Sequence, residues 1–324
     1  MIMSKKWFVI IEVILAVVAA VLAFIVIREQ SVKNIHKVSV ILPDSEASYW
    51  SAFRYGLKMA AEDQGIELFV VSTGSELSLE EEMRLIRYEI EHGADALIIQ
   101  PVSEAAAGKK IEELTKKLPV MLVGDIMTDE GEISPLPVTG PDDYAMGKAL
   151  AQEVLRDFNG NVKGKALGFA VQDENAADVI SRKKGFEDAL QGKGVRVSWT
   201  VSVSMEKSGR HRLENQSKTD IVVALDDISL IRAGECSAAN DLHGAMIYGI
   251  GHSTEAIYYL DTGVAECLVV PDEFNRGYQS LTETAETLGH VWHVMKNKVL
   301  SHKVIRREEL FLKENQEILF AMNQ

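Results

Sequence analysis

The sequence predicts an α/β protein: two doubly wound units in tandem, each with its own parallel sheet, preceded by one membrane-crossing helix. Three observations point there. Apolar runs of about five residues alternate with amphipathic stretches from residue 37 onward, as expected of strands buried on both faces and the helices that cover them. The rhythm breaks at a Pro- and Gly-bearing passage, residues 131–141, and then restarts. Residues 7–27 are consecutive positions with one charge, Glu12.

As a helix, that first segment spans about 31 Å, the thickness of a bilayer core. Lys5 and Lys6 precede it and Arg28 closes it. A cleaved signal usually has a shorter apolar stretch and a small-x-small cleavage site. No Ala, Gly or Ser pair at spacing two lies between residues 16 and 23, so an uncleaved anchor is the better reading. Glu12 lies near the Lys end, where its carboxylate can reach the interface. Orientation is not decided by charge, because Lys5 and Lys6 are balanced by Arg28, Lys33 and Lys37. A polar linker, 28–36, follows.

In the first unit, 38–42 (VSVIL) reads as a buried strand closed by Pro43. Trp50, Phe53, Leu57 and Ala60 fall at helical spacing. Gly65 stops that helix, and Glu67–Val71 is the next strand. Ser78 with Glu81 forms a capping box ahead of the stripe Leu79, Met83, Ile86 and Ile90, which Gly93 ends. Strand 96–100, a helix carrying Ile111, Leu114 and Leu118, and strand 119–124 complete the unit.

In the second, Asp143 is placed to cap a helix with Met146, Leu150 and Val154 inward. Then come strand 166–170, helix 177–190, strands 195–203 and 221–225, strand Met246–Ile250, a helix at 254–260 and strand 266–270. A long helix is expected near 278–299. Ligands of such sheets bind outside the carboxyl ends of the strands, so the loops from Pro43, Ser72, Pro101, Gly124, Val171, Asp226 and Gly251 matter most.

Composition excludes several classes. Asp and Glu number 48 against 34 Lys and Arg, for a net charge of −14, which is wrong for a nucleic-acid surface. Two cysteines, Cys236 and Cys267, cannot build a disulfide scaffold or a four-cysteine zinc site and read as buried free thiols. No GxSxG elbow, GK[ST] phosphate loop or GxGxxG occurs, so no enzyme is indicated and no cofactor or metal is expected. His290 and His293 fall one turn apart on the expected helix, without a third ligand at motif spacing. Residues 80–82, three glutamates, read as a solvated first helical turn.

The segments VSVILPDSEASYWSAFRYGLKMAAEDQGIELFVV (38–71), IEHGADALIIQPVS (90–103), TGPDDYAMGKALAQEVL (139–155), SRKKGFEDAL (181–190), IVVALDD (221–227) and VVPDEFNRGYQ (269–279) occur in order. Together they resemble the type I periplasmic sugar-binding proteins of the ribose-binding class, which share their fold with the ligand domains of LacI-type repressors. The resemblance implies two lobes joined by three crossing strands near Gly140, Pro271 and His302, with a sugar-sized ligand in the cleft. Lobe 1 would be 37–139 plus 272–302, and lobe 2 would be 140–271 plus 303–324.

Carried over residue by residue, the resemblance places Tyr49 and Trp50 where aromatics stack on a sugar ring, although both also suit a helix start. Asp125, after the fourth strand, falls beside a polar ligand residue. Asp226 and Asp227 match an acidic pair, the first expected at the ligand and the second as a helix cap. Asp142 and Asp143 match a similar pair and read as structural. The chain also departs from the pattern. Gly251 and His252 stand where an acidic residue is common, Pro271 where Gln is common, and Ile180 where an arginine clamps hydroxyls, with Arg182 two positions on. Three lost contacts at about 1 kcal/mol each argue against ribose itself. A different sugar, another small polar ligand or a degenerate site remain open.

The expectation is therefore a monomeric ligand domain outside the cytoplasm, single-pass through residues 7–27, that closes on a sugar-like molecule and serves an ABC permease or a membrane sensor kinase. A LacI-like regulator is the alternative. It is disfavoured because the apolar segment occupies the place of a helix-turn-helix.

Overall fold

The computed structural model describes residues 14–15, 17–18, 35–45, 47–74, 77–102, 104–116, 118–124, 134–204, 207–290 and 292–320. The chain divides into two compact units, residues 1–36 and 37–324. In the first, Ile14, Leu15, Val17 and Val18 are helical, with exposed side chains. The rest of the expected anchor lies outside the described residues, among which no helix is long and apolar enough to cross a membrane.

The second unit contains twelve strands: Lys37–Ile41 (β1), Glu67–Val71 (β2), Ala96–Ile99 (β3), Val120–Val123 (β4), Val138–Pro141 (β5), Ala166–Val171 (β6), Arg196–Ser202 (β7), Ile221–Ala224 (β8), Met246–Ile250 (β9), Ala265–Pro271 (β10), Lys298–Leu300 (β11) and His302–Arg306 (β12). Its helices are Ser51–Gln64 (α1), Leu79–Glu91 (α2), Glu104–Thr115 (α3), Asp143–Asp157 (α4), Ala177–Ala189 (α5), Lys207–Glu214 (α6), Asp227–Ala238 (α7), Thr254–Asp261 (α8), Glu273–Gly289 (α9) and Lys313–Phe320 (α10).

Two six-stranded sheets result, in the orders β11-β5-β4-β3-β1-β2 and β12-β10-β9-β8-β6-β7. Their pairings are parallel except that β12 runs antiparallel to β10. Apolar residues alternate between faces, so each sheet is covered on both sides. In the first, Ala96 and Ile98 join the core around Trp50 and Phe53, whereas Leu97 and Ile99 join the core around Ile86 and Ile111.

The chain passes between sheets three times: at Asp142 between β5 and α4, at Asp272 between β10 and α9, and at Ser301 between β11 and β12. Each departure is from the carboxyl end of a strand, which sets the carboxyl edges of the two sheets toward each other. This carboxyl-edge pairing positions the functional site.

Local signals explain most boundaries. Ser78 and Glu81 complete both halves of the capping box on α2, and Gly65 ends α1 at φ 66°, where a side chain would be strained. Three expectations need correction. Asp142, not Asp143, caps α4 through the Ala145 amide, and Asp143 is the first helical residue. The last long helix is 273–289, capped by Asp272, and 298–300 is a strand. The apolar spacing that suggested a longer helix continues only because the loop after Gly289 packs Met295 inward. Glu82 is fully buried, not solvated.

Two helix pairs share one contact geometry. A Cβ at Gly56 of α1 would lie 2.0 Å from the Phe274 carbonyl oxygen, and one at Gly277 of α9 would lie 2.0 Å from that of Phe53. In the second lobe a Cβ at Gly147 of α4 would lie 1.8 Å from the Arg182 oxygen, and one at Gly185 of α5 would lie 2.0 Å from that of Tyr144. Each glycine meets the carbonyl three residues before its partner glycine, so both backbones touch across a local two-fold. Gly147→Ala or Gly277→Ala should therefore destabilise the protein by about 1–3 kcal/mol through forced separation of the helices. Gly289→Ala, with nothing within 4 Å, should leave the denaturant midpoint unchanged; equal effects at all three sites would refute the packing argument.

Candidate functional site

The first lobe's carboxyl edge is cross-braced. The Ser45 amide donates to Thr73 Oγ1 at 3.2 Å, and the Thr73 amide donates to Ser45 Oγ at 3.0 Å, locking the loops after β1 and β2 together. Asp44 sits there at φ 47°, a conformation Asp tolerates better than most residues. Tyr49 is 47% exposed, and burial together with the nearby Asp44 carboxylate pushes its hydroxyl pKa up. Trp50 differs from its neighbour. It is 4% exposed, donates from Nε1 to the Pro43 carbonyl at 3.0 Å, and packs edge-on against Phe53. Its placement is that of a core side chain. Asp125 lies outside the described residues.

Two residues of this edge escaped the sequence reading. Gln100 ends β3, its amide bonded to the Ile41 carbonyl, and its Oε1 is buried without a hydrogen-bond partner. Glu82, in the first turn of α2, accepts the Val102 amide at 3.1 Å on Oε1, while its buried Oε2 has no partner. Burial pushes this carboxyl up to about 7 against the Val102 bond, which pulls it down. The one sequence signal was Gln100 itself, a polar residue closing an apolar strand before Pro101.

The second lobe's edge is dominated by carboxylates that serve the backbone. Asp226 caps α7, accepting the Ser229 amide at 2.8 Å and the Gln172 amide at 2.6 Å. Its pKa is raised by burial and held back by those bonds and by Arg182. Asp227 does not cap; its Oδ1 takes the His252 and Ser253 amides at 2.9 and 3.2 Å. The expected division between the pair is thus corrected: the first Asp turns the chain into the helix, and the second holds the loop after β9. His252, partly exposed, stands at that loop.

Arg182 is 9% exposed. Its Nε lies 2.6 Å from Asp143 Oδ1, and its Nη1 lies 2.8 Å from Asp178 Oδ2 and 2.9 Å from the Leu225 carbonyl. It ties α4, α5 and the end of β8 together.

At the crossings, Gly140 is buried in β5 opposite Val299, and Pro271 pairs with His302. Burial pushes the His302 imidazole pKa down against the pull of Asp142. Its Nδ1 and Thr139 Oγ1 are buried without partners, as is Arg276 Nε in the first turn of α9. Buried polar atoms are normally paired. Of the six described side-chain atoms that are not, Gln100, Glu82, Thr139, His302 and Arg276 supply five at the carboxyl edge or the crossings.

Two clusters elsewhere have metal-like spacing, Glu283–Glu286–His293 and Glu214–Cys236–Asp241. In both a cationic side chain already neutralises the carboxylates. Lys298 Nζ is 2.6 Å from Glu283, and Arg210 bridges Glu214 and Asp241 at 2.6 and 3.2 Å. His290 ends α9 in extended backbone and is not in the first cluster. Cys236 and Cys267 are buried free thiols.

The chain was compared with known proteins. The family described as periplasmic binding protein domain matches residues 38–289. No curated protein matches by sequence. Among solved structures, a carbohydrate-transporter solute-binding protein from Agrobacterium radiobacter in complex with D-arabinose is 17% identical, covers 89% of this chain and 100% of its own, and superposes with a TM-score of 0.74. GanP, a glucose-galactose binding protein from Geobacillus stearothermophilus, is 23% identical over 86% and 99%, with a TM-score of 0.73. An ABC-transporter solute-binding protein from Bacillus halodurans with bound myo-inositol is 16% identical over 85% and 96%, with a TM-score of 0.72. These likenesses establish the fold.

Glu82 makes stability depend on pH. Its ordinary value is 4.5 and its folded value about 7, so the folded state holds this proton more tightly than the unfolded chain does. The associated stability is complete below pH 4.5 and is lost as pH rises through about 7. Against Glu82→Gln, the wild-type unfolding free energy should match at the acid end and fall behind by up to about 3 kcal/mol at pH ~8. Parallel pH curves for the two proteins would contradict this.

Proposed function

Since the chain belongs to the periplasmic binding protein domain family, we propose that it is an extracytoplasmic solute receptor whose lobes close on one small polyhydroxylated ligand, a sugar or a near relative. The observation that carries this reading is the gathering of unpartnered polar atoms where the two carboxyl edges meet. A ligand that reaches both edges only when they approach shifts the population toward closure. Carboxylates and amides suit such a ligand because hydroxyls both donate and accept. The solved sugar and inositol complexes of similar fold support the same class.

In this reading Tyr49 lies along the apolar face of the ring. Gln100, Asp125, Asp226 and His252 meet its hydroxyls. Arg182 fixes the second edge, Trp50 backs the first, and Gly140, Pro271 and His302 take up the bending. Residues 7–27 hold the receptor to the membrane with the lobes outside the cytoplasm. The partner is a membrane protein that reads the closed shape, either an ABC permease or a sensor kinase. A permanent tether, with the departures at His252, Pro271 and Ile180, favours sensing.

A thermal-shift screen of the purified chain against D-arabinose, D-galactose, D-tagatose and myo-inositol tests the ligand class. A binder at a hundred times its Kd adds about 2.7 kcal/mol to folding and raises the midpoint. Gln100→Ala and Tyr49→Ala should abolish the gain without lowering the ligand-free midpoint substantially. No gain with any polyol, or a gain unchanged in both variants, would overturn the assignment.

A further inference from the structure

The end of the first lobe remote from the paired carboxyl edges carries Trp292, 94% exposed. It lies in the loop 290–297 between α9 and β11. Val294 is 74% exposed, and Ile35, just before β1, is 64% exposed. Tryptophan is seldom left wholly in water; its apolar body and polar N–H suit a boundary between apolar and wet phases.

The loop is held firmly in place. His293 Nε2 lies 2.8 Å from Glu283 Oε1, the Lys296 amide donates to the same oxygen at 2.9 Å, and Met295 packs on the core. Trp292 and Val294 therefore point outward because His293 and Met295, alternating with them, point inward. The loop's level in the fold is also fixed. Asn297 Oδ1 accepts the Val138 amide at 2.9 Å, and Val138 is the first residue of β5. The loop thus lies at the amino edge of the first sheet, the edge at which the chain enters β1 at Lys37. The chain entering there has come from the apolar segment 7–27 through residues 28–36, nine positions that reach about 30 Å at full extension.

We infer that Trp292, with Val294 beside it, rests in the headgroup layer of the bilayer and gives the first lobe a second hold on the membrane. This rests on the reading of residues 7–27 as an anchor. The exposed Lys296 adds attraction to anionic lipid, and the boundary layer is where Trp collects in membrane proteins. The occupant is a lipid surface, because a short tether delivers this edge to one.

The test uses the full chain carrying Trp7→Phe, reconstituted in phosphatidylcholine vesicles with and without bromine on the acyl chains. Trp50 and Trp199, both buried, supply a background insensitive to the quencher. Brominated lipid should remove most of the Trp292 emission, and a further Trp292→Phe change should abolish the difference between the two lipids. A chain that floats with the vesicles yet shows no quenching overturns this inference and leaves the anchor standing. A chain that does not float after an alkaline wash removes the anchor, and this inference with it. Emission that shifts with protein-to-lipid ratio but not with bromine points to a second copy as the cover, and also overturns it.

Discussion

Backbone-to-backbone contact between paired helices is the constraint on which the two-lobed arrangement depends. Each lobe contains a helix that has just arrived from the other: α4 after the crossing at Asp142, α9 after the crossing at Asp272. Each is seated by a glycine pair, Gly147 with Gly185 and Gly56 with Gly277. The third crossing has its own fastening. Arg306 of β12 reaches Glu153 and Asp157 of α4, with Nη1 2.9 Å from Asp157 Oδ1. All three passages therefore end in an element fixed to its new lobe, and bending is confined to the short links between.

The acidic character of the facing edges has two origins that a residue count does not separate. Asp142, Asp226 and Asp272 are helix caps, and Asp227 gathers loop amides. These carboxylates exist first because helices that start at a sheet's carboxyl edge leave amides unpaired there. The same geometry leaves acceptors turned toward whatever enters between the lobes. Arg182 follows the same logic with opposite charge, because its donors are spent on Asp143, Asp178 and the Leu225 carbonyl. That makes it a brace rather than a clamp on hydroxyls.

Legibility followed how local the governing interaction is. β2, β9 and the capping box at Ser78 were readable because apolar runs and a four-residue motif specify them. The adjacent pairs 142–143 and 226–227 were readable as functional or capping positions, but not in which member caps. That choice is made by where the preceding strand lets go of the backbone, as at Leu225, still buried beyond β8. The apolar spacing through Val294 and Val299 imitated helix because a pinned loop can alternate its side chains in a similar way. Glu82 was unreadable as buried, since its burial comes from the loop after β3, some twenty residues further along the chain. Gln100 stood in plain sight, but its unpaired oxygen is a property of its neighbours.

The order in which the chain is made bears on that seating. The first lobe is begun at residue 37 and cannot be finished until α9 and β11 have been synthesised, after nearly all of the second lobe. Throughout that interval the groove of α1 around Gly56 has no helix against it, and β5 lacks its outer neighbour. Biogenesis therefore passes through an obligatory half-built intermediate with a naked helix surface, a natural substrate for chaperones during export. A truncation ending near residue 271 should reproduce that state and be held by them.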